Sequence, residues 1–406
     1  MLAALEQGVK GGRWHSLIDK LYPVPTLRAA FAAVKANRGA AGVDHVSIER
    51  YASDLDVNLE RLSESLKIGT YRPQAIRRHF IPKPGSQEKR PLGIPTIQDR
   101  VVQTALRMVL EPIYEKDFAA QSYGFRPGMG CKDGLRRVDE LLKAGYVHVV
   151  DADLKSYFDT IPKDRLLALV AGKVADGRIL KLVEAFLGQS VLEDAQEWVP
   201  EQGTPQGAVI SPLLSNIYLD PLDHLMAGRG FEMVRYADDF VVLCRSPQEA
   251  AEALTVVRDW TERAGLMLHP EKTKLVDARD DGFDFLGYHF ERGRRWPRKK
   301  SQEKLRDAIR AKTGRTVGHG LSKVIADINP TLRGWFGYFQ HSYRPTFRIV
   351  DGWVRRRLRS ILRRQQRLDG ISKTHGSDHV RWPNAFFAKH GLFSLQAARD
   401  AVSQSS

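Results

Sequence analysis

The stretch from Phe231 to Arg245 constrains the fold more than any other. Met233, Val234 and Tyr236 form one β-prone run, Phe240, Val241, Val242 and Leu243 form a second, and only Ala237-Asp238-Asp239 separates them. Two apolar runs joined so tightly predict a hairpin with acids in its turn. A further β-branched run, Val147, Val149 and Val150, leads straight into Asp151 and Asp153, which puts more acids at a strand end. Apolar side chains at three- and four-residue intervals, clearest in Val102, Leu106, Val109 and Ile113, predict amphipathic helices, and Leu27 to Asn37 predicts a short helix that opens the chain. From Tyr71 to Pro91, strand-forming Ile76, Phe80 and Ile81 alternate with six cations in what reads as a basic hairpin. The expected class is therefore α+β.

Taken alone, Asp238 and Asp239 are read equally well as turn formers, because Asp is common in hairpin turns. The chemical reading is that an Asp at a strand end and an Asp pair in a neighbouring turn bring hard oxygen ligands to one point. Two divalent cations doing phosphoryl transfer need such ligands, and Mg²⁺ completes its octahedron with water and substrate phosphate.

Surrounding motifs favour the chemical reading. Tyr236-Ala237-Asp238-Asp239 resembles the signature turn of reverse transcriptases. Asp153-Leu154-Lys155-Ser156-Tyr157-Phe158-Asp159 resembles their first catalytic strand. Gly203-Thr204-Pro205-Gln206-Gly207 with Ser211 to Asn216 resembles their template- and nucleotide-binding segment, in the family's order. The resemblance runs from about Tyr71 to Tyr288. It implies catalysis by Asp153, Asp238 and Asp239, and two Mg²⁺ ions, with Mn²⁺ as a substitute, held by Asp153, Leu154 and Asp238. It also implies nucleotide binding by Lys83, Arg90, Phe158, Gln206, Gly207 and Lys272. Phe158 would reject a ribose 2′-hydroxyl and so prefer dNTPs, Lys272 would protonate the departing pyrophosphate, and Phe285, Leu286 and Gly287 would form a primer grip. The implied architecture is a right-hand polymerase: fingers and palm with an antiparallel palm sheet, then an α-helical thumb.

Charge divides the chain unevenly. Residues 291–406 hold 26 basic and 8 acidic residues, whereas residues 1–290 hold 37 and 40. A cationic end of this kind favours a polyanionic partner through counterion release. Asn329 to Phe339, then Trp353 with Arg355-Arg356-Arg357-Leu358, resemble the thumb and maturase region of group II intron-encoded proteins. Arg381-Trp382-Pro383-Asn384 through Gly391-Leu392-Phe393 resembles their C-terminus, and Gly39 to Asp44 their N-terminal extension. The implied partners are RNA template, DNA primer, dNTPs and group II intron RNA, the last bound through Arg333, Arg355, Arg356, Arg357, Arg359, Arg363 and Arg364. After Glu291 the sequence reads as helical, with breaks at Gly314 and Pro330 and an Arg-rich helix from Trp353 to Gln366.

Three regions are expected: an N-terminal extension and start of the fingers at 1–70, fingers and palm at 71–290, and thumb with maturase region at 291–406. Cys131 and Cys244 match no paired zinc spacing and no disulfide framework. The first twenty residues lack a signal-peptide core, and nothing reaches eighteen consecutive apolar residues, so the expected location is cytoplasmic with no membrane partner. The sequence carries no recognisable endonuclease with cysteine pairs, from which it is expected not to nick a second DNA strand. Two rival readings stay open: an RNA-binding splicing factor with a vestigial polymerase site, and a domesticated enzyme of phage defence or CRISPR spacer acquisition. Oligomeric state is not legible.

Overall fold

Runs of β-branched and aromatic residues set the strands, and the helices pack the apolar stripes between them. The computed structural model describes residues 5, 12–82, 89–194, 196–205, 207–314, 318–366 and 375–404. They form two compact units, Met1–Asp277 and Ala278–Ser406.

In the first unit, β1 (Ile76–Pro82) and β2 (Lys89–Ile94) make the expected basic hairpin. Strand β3 (His148–Asp153) ends on its acid. Two three-residue strands that the sequence reading missed, β4 (Val191–Glu193) and β5 (Gln196–Trp198), extend the β1–β2 hairpin into a sheet of order β2-β1-β4-β5. The central sheet has the order β6-β7-β3-β8, with β6 (Glu232–Tyr236), β7 (Asp239–Cys244) and β8 (Lys274–Asp277), all antiparallel. Side chains alternate faces along a strand. The face bearing Val150, Ala152, Phe240, Val242 and Cys244 joins the main core together with the helices Ile97–Glu115, Ser211–Gly228 and Pro247–Arg263. Asp153 and Asp239 therefore fall on the other face, at the end of the sheet.

The amphipathic helix expected at Asp99–Ile113 spans Ile97–Glu115, and Thr96 caps it by accepting from the Asp99 amide at 3.1 Å. A short helical turn, Ile18–Leu21, precedes the expected helix, which runs Val24–Ala36.

The second unit opens with a three-stranded sheet, β9 (Phe283–Phe285), β10 (Tyr288–Glu291) and β11 (Arg294–Pro297). Strand β11 corrects the expectation that helix begins directly after Glu291. The helices Lys299–Lys312, Leu321–Phe339 and Pro345–Gln365 follow and share a core around Ile309, Ile328, Leu332, Phe347 and Leu358. Gly314 does lie between helices. Pro330 does not break one: it sits inside Leu321–Phe339. A proline inside a helix costs roughly 3 kcal/mol, but Ile328, Leu332 and Phe336 are buried on either side of it, and their burial, at roughly 1.5–3 kcal/mol each, exceeds that cost. Among the described residues no helix is long and apolar enough to cross a membrane.

Candidate active site

Register brings the motif acids together. In the central sheet Asp153 of β3 pairs directly with Asp239 of β7, and Tyr236 pairs with Asp239 across the two-residue turn Ala237-Asp238. Directly paired residues stand about 4.5–5.5 Å apart at Cα, so Asp153 lies beside the hairpin tip that carries Asp238. Asp153 and Asp238 are half-buried and Asp239 is exposed. Ala237 takes φ +59°, a left-handed conformation that costs an L-residue roughly 1–2 kcal/mol.

The segment after Gly265 completes the rim. Lys155 donates its amide to Met267 O (2.8 Å), His269 donates to Asp153 O (2.7 Å), and Leu154 bridges Leu268. This pairing brings Lys272 Nζ to 2.7 Å from Asp153 Oδ2. A cation thus already meets the carboxylate that the sequence assigns to metal. Carboxylates from two adjoining strands are hard donors suited to Mg²⁺, and Leu154 has only its backbone carbonyl to offer. Among the described residues, however, no three His, Cys, Asp or Glu side chains converge into a ready-made ligand cage. The protein's donor set is therefore partial, and fits an ion that takes its remaining ligands from water and substrate phosphate.

The segment that the sequence assigns to nucleotide binding lies against the turn after β3, the helix Ile97–Glu115 and the basic hairpin. Thr204 donates its amide to Phe158 O (2.7 Å) and Gly203 to Ile161 O (2.8 Å). The amides of Val209 and Ile210 donate to Gln103 Oε1 at 2.7 and 3.4 Å. Gly207 has φ +102°, and a Cβ there would stand 2.5 Å from Gly93 O of β2. Its lack of a side chain serves a backbone-to-backbone approach to the hairpin. Phe158 is half-buried, packs against the main core and meets Tyr157 edge-on at 5.5 Å. Lys83 and Gln206 lie outside the described residues, as does the Arg90 side chain.

In the second unit, Leu286 and Gly287 form the two-residue turn between β9 and β10, with φ +46° and +82°. Positive φ at both positions is the primed-turn geometry that matches strand twist. Tyr338 Oη donates to Leu286 O (2.7 Å), and Ser301 Oγ and the Arg298 amide donate to Gly287 O (3.0 and 2.9 Å). Phe285 is fully buried, so of this trio only Leu286 and Gly287 have any surface.

The residues 81–290 match the family described as reverse transcriptase (RNA-dependent DNA polymerase). The chain belongs to the reverse transcriptase family. Residues 299–377 match the maturase-specific domain of group II introns, so this reverse transcriptase is of the group II intron-encoded kind. Protein YkfC of Escherichia coli (strain K12) is 34% identical over 292 residues, covering 62% of this chain and 76% of that protein. The group II intron-encoded protein LtrA of Lactococcus lactis subsp. cremoris is 38% identical over 196 residues, covering 48% of this chain and 32% of LtrA. An uncharacterized 91 kDa protein in a cob intron of Schizosaccharomyces pombe is 30% identical over 319 residues, 64% of this chain and 39% of that protein. The chain thus spans most of the first relative but only a third to two fifths of the other two.

In this reverse transcriptase, the maturase arginines differ in situation. Arg333, Arg356 and Arg364 are exposed, Arg333 with its guanidinium 4.7 Å from the Phe393 ring centre. Arg355 is half-buried, 3.8 Å from Asp351. Three are engaged within the unit: Arg357 donates to Thr313 Oγ1 and O, Arg363 to Asp378, and buried Arg359 to Trp382 O and Asn384 Oδ1. Sequence reading also missed a buried group behind the acidic turn, Arg235 with Asp223 and Asn216. Its signal was present: a charged residue inside an apolar strand demands a partner.

Proposed function

We propose that the chain is an RNA-directed DNA polymerase that also binds group II intron RNA and assists its splicing. The observation that carries the reading is the pairing of Asp153 with Asp239 beside the Asp238 turn, at the end of a four-stranded antiparallel sheet.

Asp153 and Asp238, with the Leu154 carbonyl, would hold Mg²⁺ or Mn²⁺. Two such ions lower the pKa of an attacking 3′-hydroxyl and neutralise pyrophosphate. Asp239, exposed beside them, faces the primer end. Lys272, whose Nζ lies 2.7 Å from Asp153 Oδ2, would serve as the proton donor to the leaving phosphate. Phe158 packs beneath the sugar, and its half-burial supports a wall that excludes a 2′-hydroxyl. Lys83, Arg90 and Gln206 contact the triphosphate and base, while Gly207 keeps the clamp with the basic hairpin closed. Leu286 and Gly287 grip the primer backbone.

In the maturase role the exposed Arg333, Arg356 and Arg364 contact RNA phosphates, while Arg357, Arg359 and Arg363 brace the domain that presents them. The divided roles predict that Asp238→Asn abolishes cDNA synthesis and leaves assisted splicing of a group II intron intact. Equal loss of splicing, with RNA binding and folding preserved, would contradict the separation. Retained cDNA synthesis would contradict the site assignment.

A further inference from the structure

A guanidinium removed from water is expensive, and an apolar pair of similar volume often replaces a buried ion pair without loss of stability. Arg235 has no exposed surface and neither has its partner Asp223. Its Nε donates to Asp223 Oδ1 at 2.7 Å, and Nη2 donates to the second oxygen. Burial works against the charge, and Asp223 outweighs it, leaving the guanidinium pKa raised. Fold stability alone gives no reason for this arrangement.

The third nitrogen supplies one. Arg235 Nη1 donates to Ala237 O at 2.8 Å and to Asn216 Oδ1 at 3.1 Å. Ala237 is the left-handed residue of the acidic turn, next to Asp238. Asn216 in turn donates through Nδ2 to Gly124 O at 2.8 Å. Gly124 lies against the same turn so closely that a Cβ on it would stand 2.3 Å from the Ala237 amide nitrogen. The main chain of Arg235 is held as well, its amide donating to Gln121 O (2.9 Å) and its carbonyl accepting from Tyr123 N (2.8 Å). The turn is therefore gripped from the helix Ser211–Gly228 on one side and from Gly124 on the other.

We propose that Arg235, anchored by Asp223 and Asn216, is a positioning residue that fixes the Ala237-Asp238 turn, and with it the Asp238 carboxylate, for divalent-metal binding. This rests on the reading of the turn as a metal site and adds the element that holds it. Supporting groups of this kind change metal affinity roughly 10- to 100-fold when removed.

The test is Mn²⁺ binding followed by electron paramagnetic resonance on the full chain with primer, RNA template and an unreactive dNTP analogue. Three variants are compared with wild type: Asn216→Ala, the apolar pair Arg235→Met with Asp223→Leu, and Asp238→Asn. The first two should fold with a melting temperature near that of wild type, yet bind Mn²⁺ at least about tenfold more weakly. If the apolar pair does not fold, Asn216→Ala alone decides. Wild-type Mn²⁺ affinity in a folded Asn216→Ala or apolar-pair variant overturns the proposal, and so does weakened binding that tracks reduced stability. Mn²⁺ binding unchanged in Asp238→Asn would instead sink the metal-site reading, and this proposal with it.

Discussion

At the scale of single residues, the ion pair of Lys272 and Asp153 carries the sharpest consequence. The pair is close, at 2.7 Å, but 61% and 38% exposed, so solvent screens it and its worth is at most about 1 kcal/mol. A lysine there would compete with a metal held at the same oxygen. Lys272→Ala should therefore lower the Mg²⁺ concentration for half-maximal nucleotide addition, by about two- to fivefold, while slowing addition itself. A Mg²⁺ titration of single-nucleotide incorporation checks this, and an unchanged midpoint would remove the competition. Asp153, Asp238 and Asp239 were legible in the sequence because their motifs are short and ordered along the chain. Arg235 left only a partial signal, a charge inside an apolar strand, because its partner Asp223 lies twelve residues back on a helix.

Among elements, hairpins were legible and short strands were not. The β6–β7 and β1–β2 pairs announce themselves by β-prone runs around tight turns, whereas β4 and β5 are three residues each, too short for any period. Pro330 misled because local propensity yielded to burial. The clamp between Gly207 and β2 gives an element-scale prediction. Gly207→Ala puts a Cβ 2.5 Å from Gly93 O at φ +102°, which should cost roughly 1–3 kcal/mol and displace the basic hairpin. Nucleotide addition should fall at least tenfold, whereas Gly172→Ala, in a helix with nothing near the new methyl, should stabilise by roughly 0.5–1 kcal/mol. Thermal melting and incorporation rates separate the two.

Asp99 anchors the approach to the same hairpin. Its carboxylate accepts from Tyr71 Oη (2.5 Å) and from the Gln74 amide (3.1 Å). Burial pushes its pKa from 3.8 up to about 6, against the opposing pull of those hydrogen bonds. A carboxyl raised on folding adds stability that is full below about 3.8 and is lost as pH rises through about 6. The melting temperature of wild type relative to Asp99→Asn should accordingly fall between about pH 4 and 6.5 and level off above it. A difference independent of pH would show that Asp99 does not titrate there.

Across the whole molecule, charge asymmetry was readable from where the charged residues fall along the sequence, while the limits of the compact units were not. Motifs carry the polymerase resemblance to Tyr288, yet the units part at Asp277 and Ala278, because the β9–β10 turn is tied to the following helices through Tyr338, Ser301 and Arg298. The basic end should bind RNA with strong salt dependence, the logarithmic slope falling by about 0.7 for each single-strand phosphate that is no longer neutralised. Arg356→Glu with Arg364→Glu should weaken RNA binding and flatten that slope by about one to two units. Filter binding across a potassium chloride series measures it, and an unaltered slope would place the RNA-binding surface elsewhere.

In this reading, acids on adjoining strands support metal-dependent copying of RNA into DNA. Single-turnover addition of one dNTP to a DNA primer on an RNA template, in Mg²⁺, with wild type and Asp153→Asn side by side, tests it most directly. Wild type should add the nucleotide, and Asp153→Asn, still folded and bound to the primer–template, should lose at least a thousandfold in rate, about 4 kcal/mol of barrier. Failure of wild type to extend under any metal condition, or undiminished extension by Asp153→Asn, would contradict it.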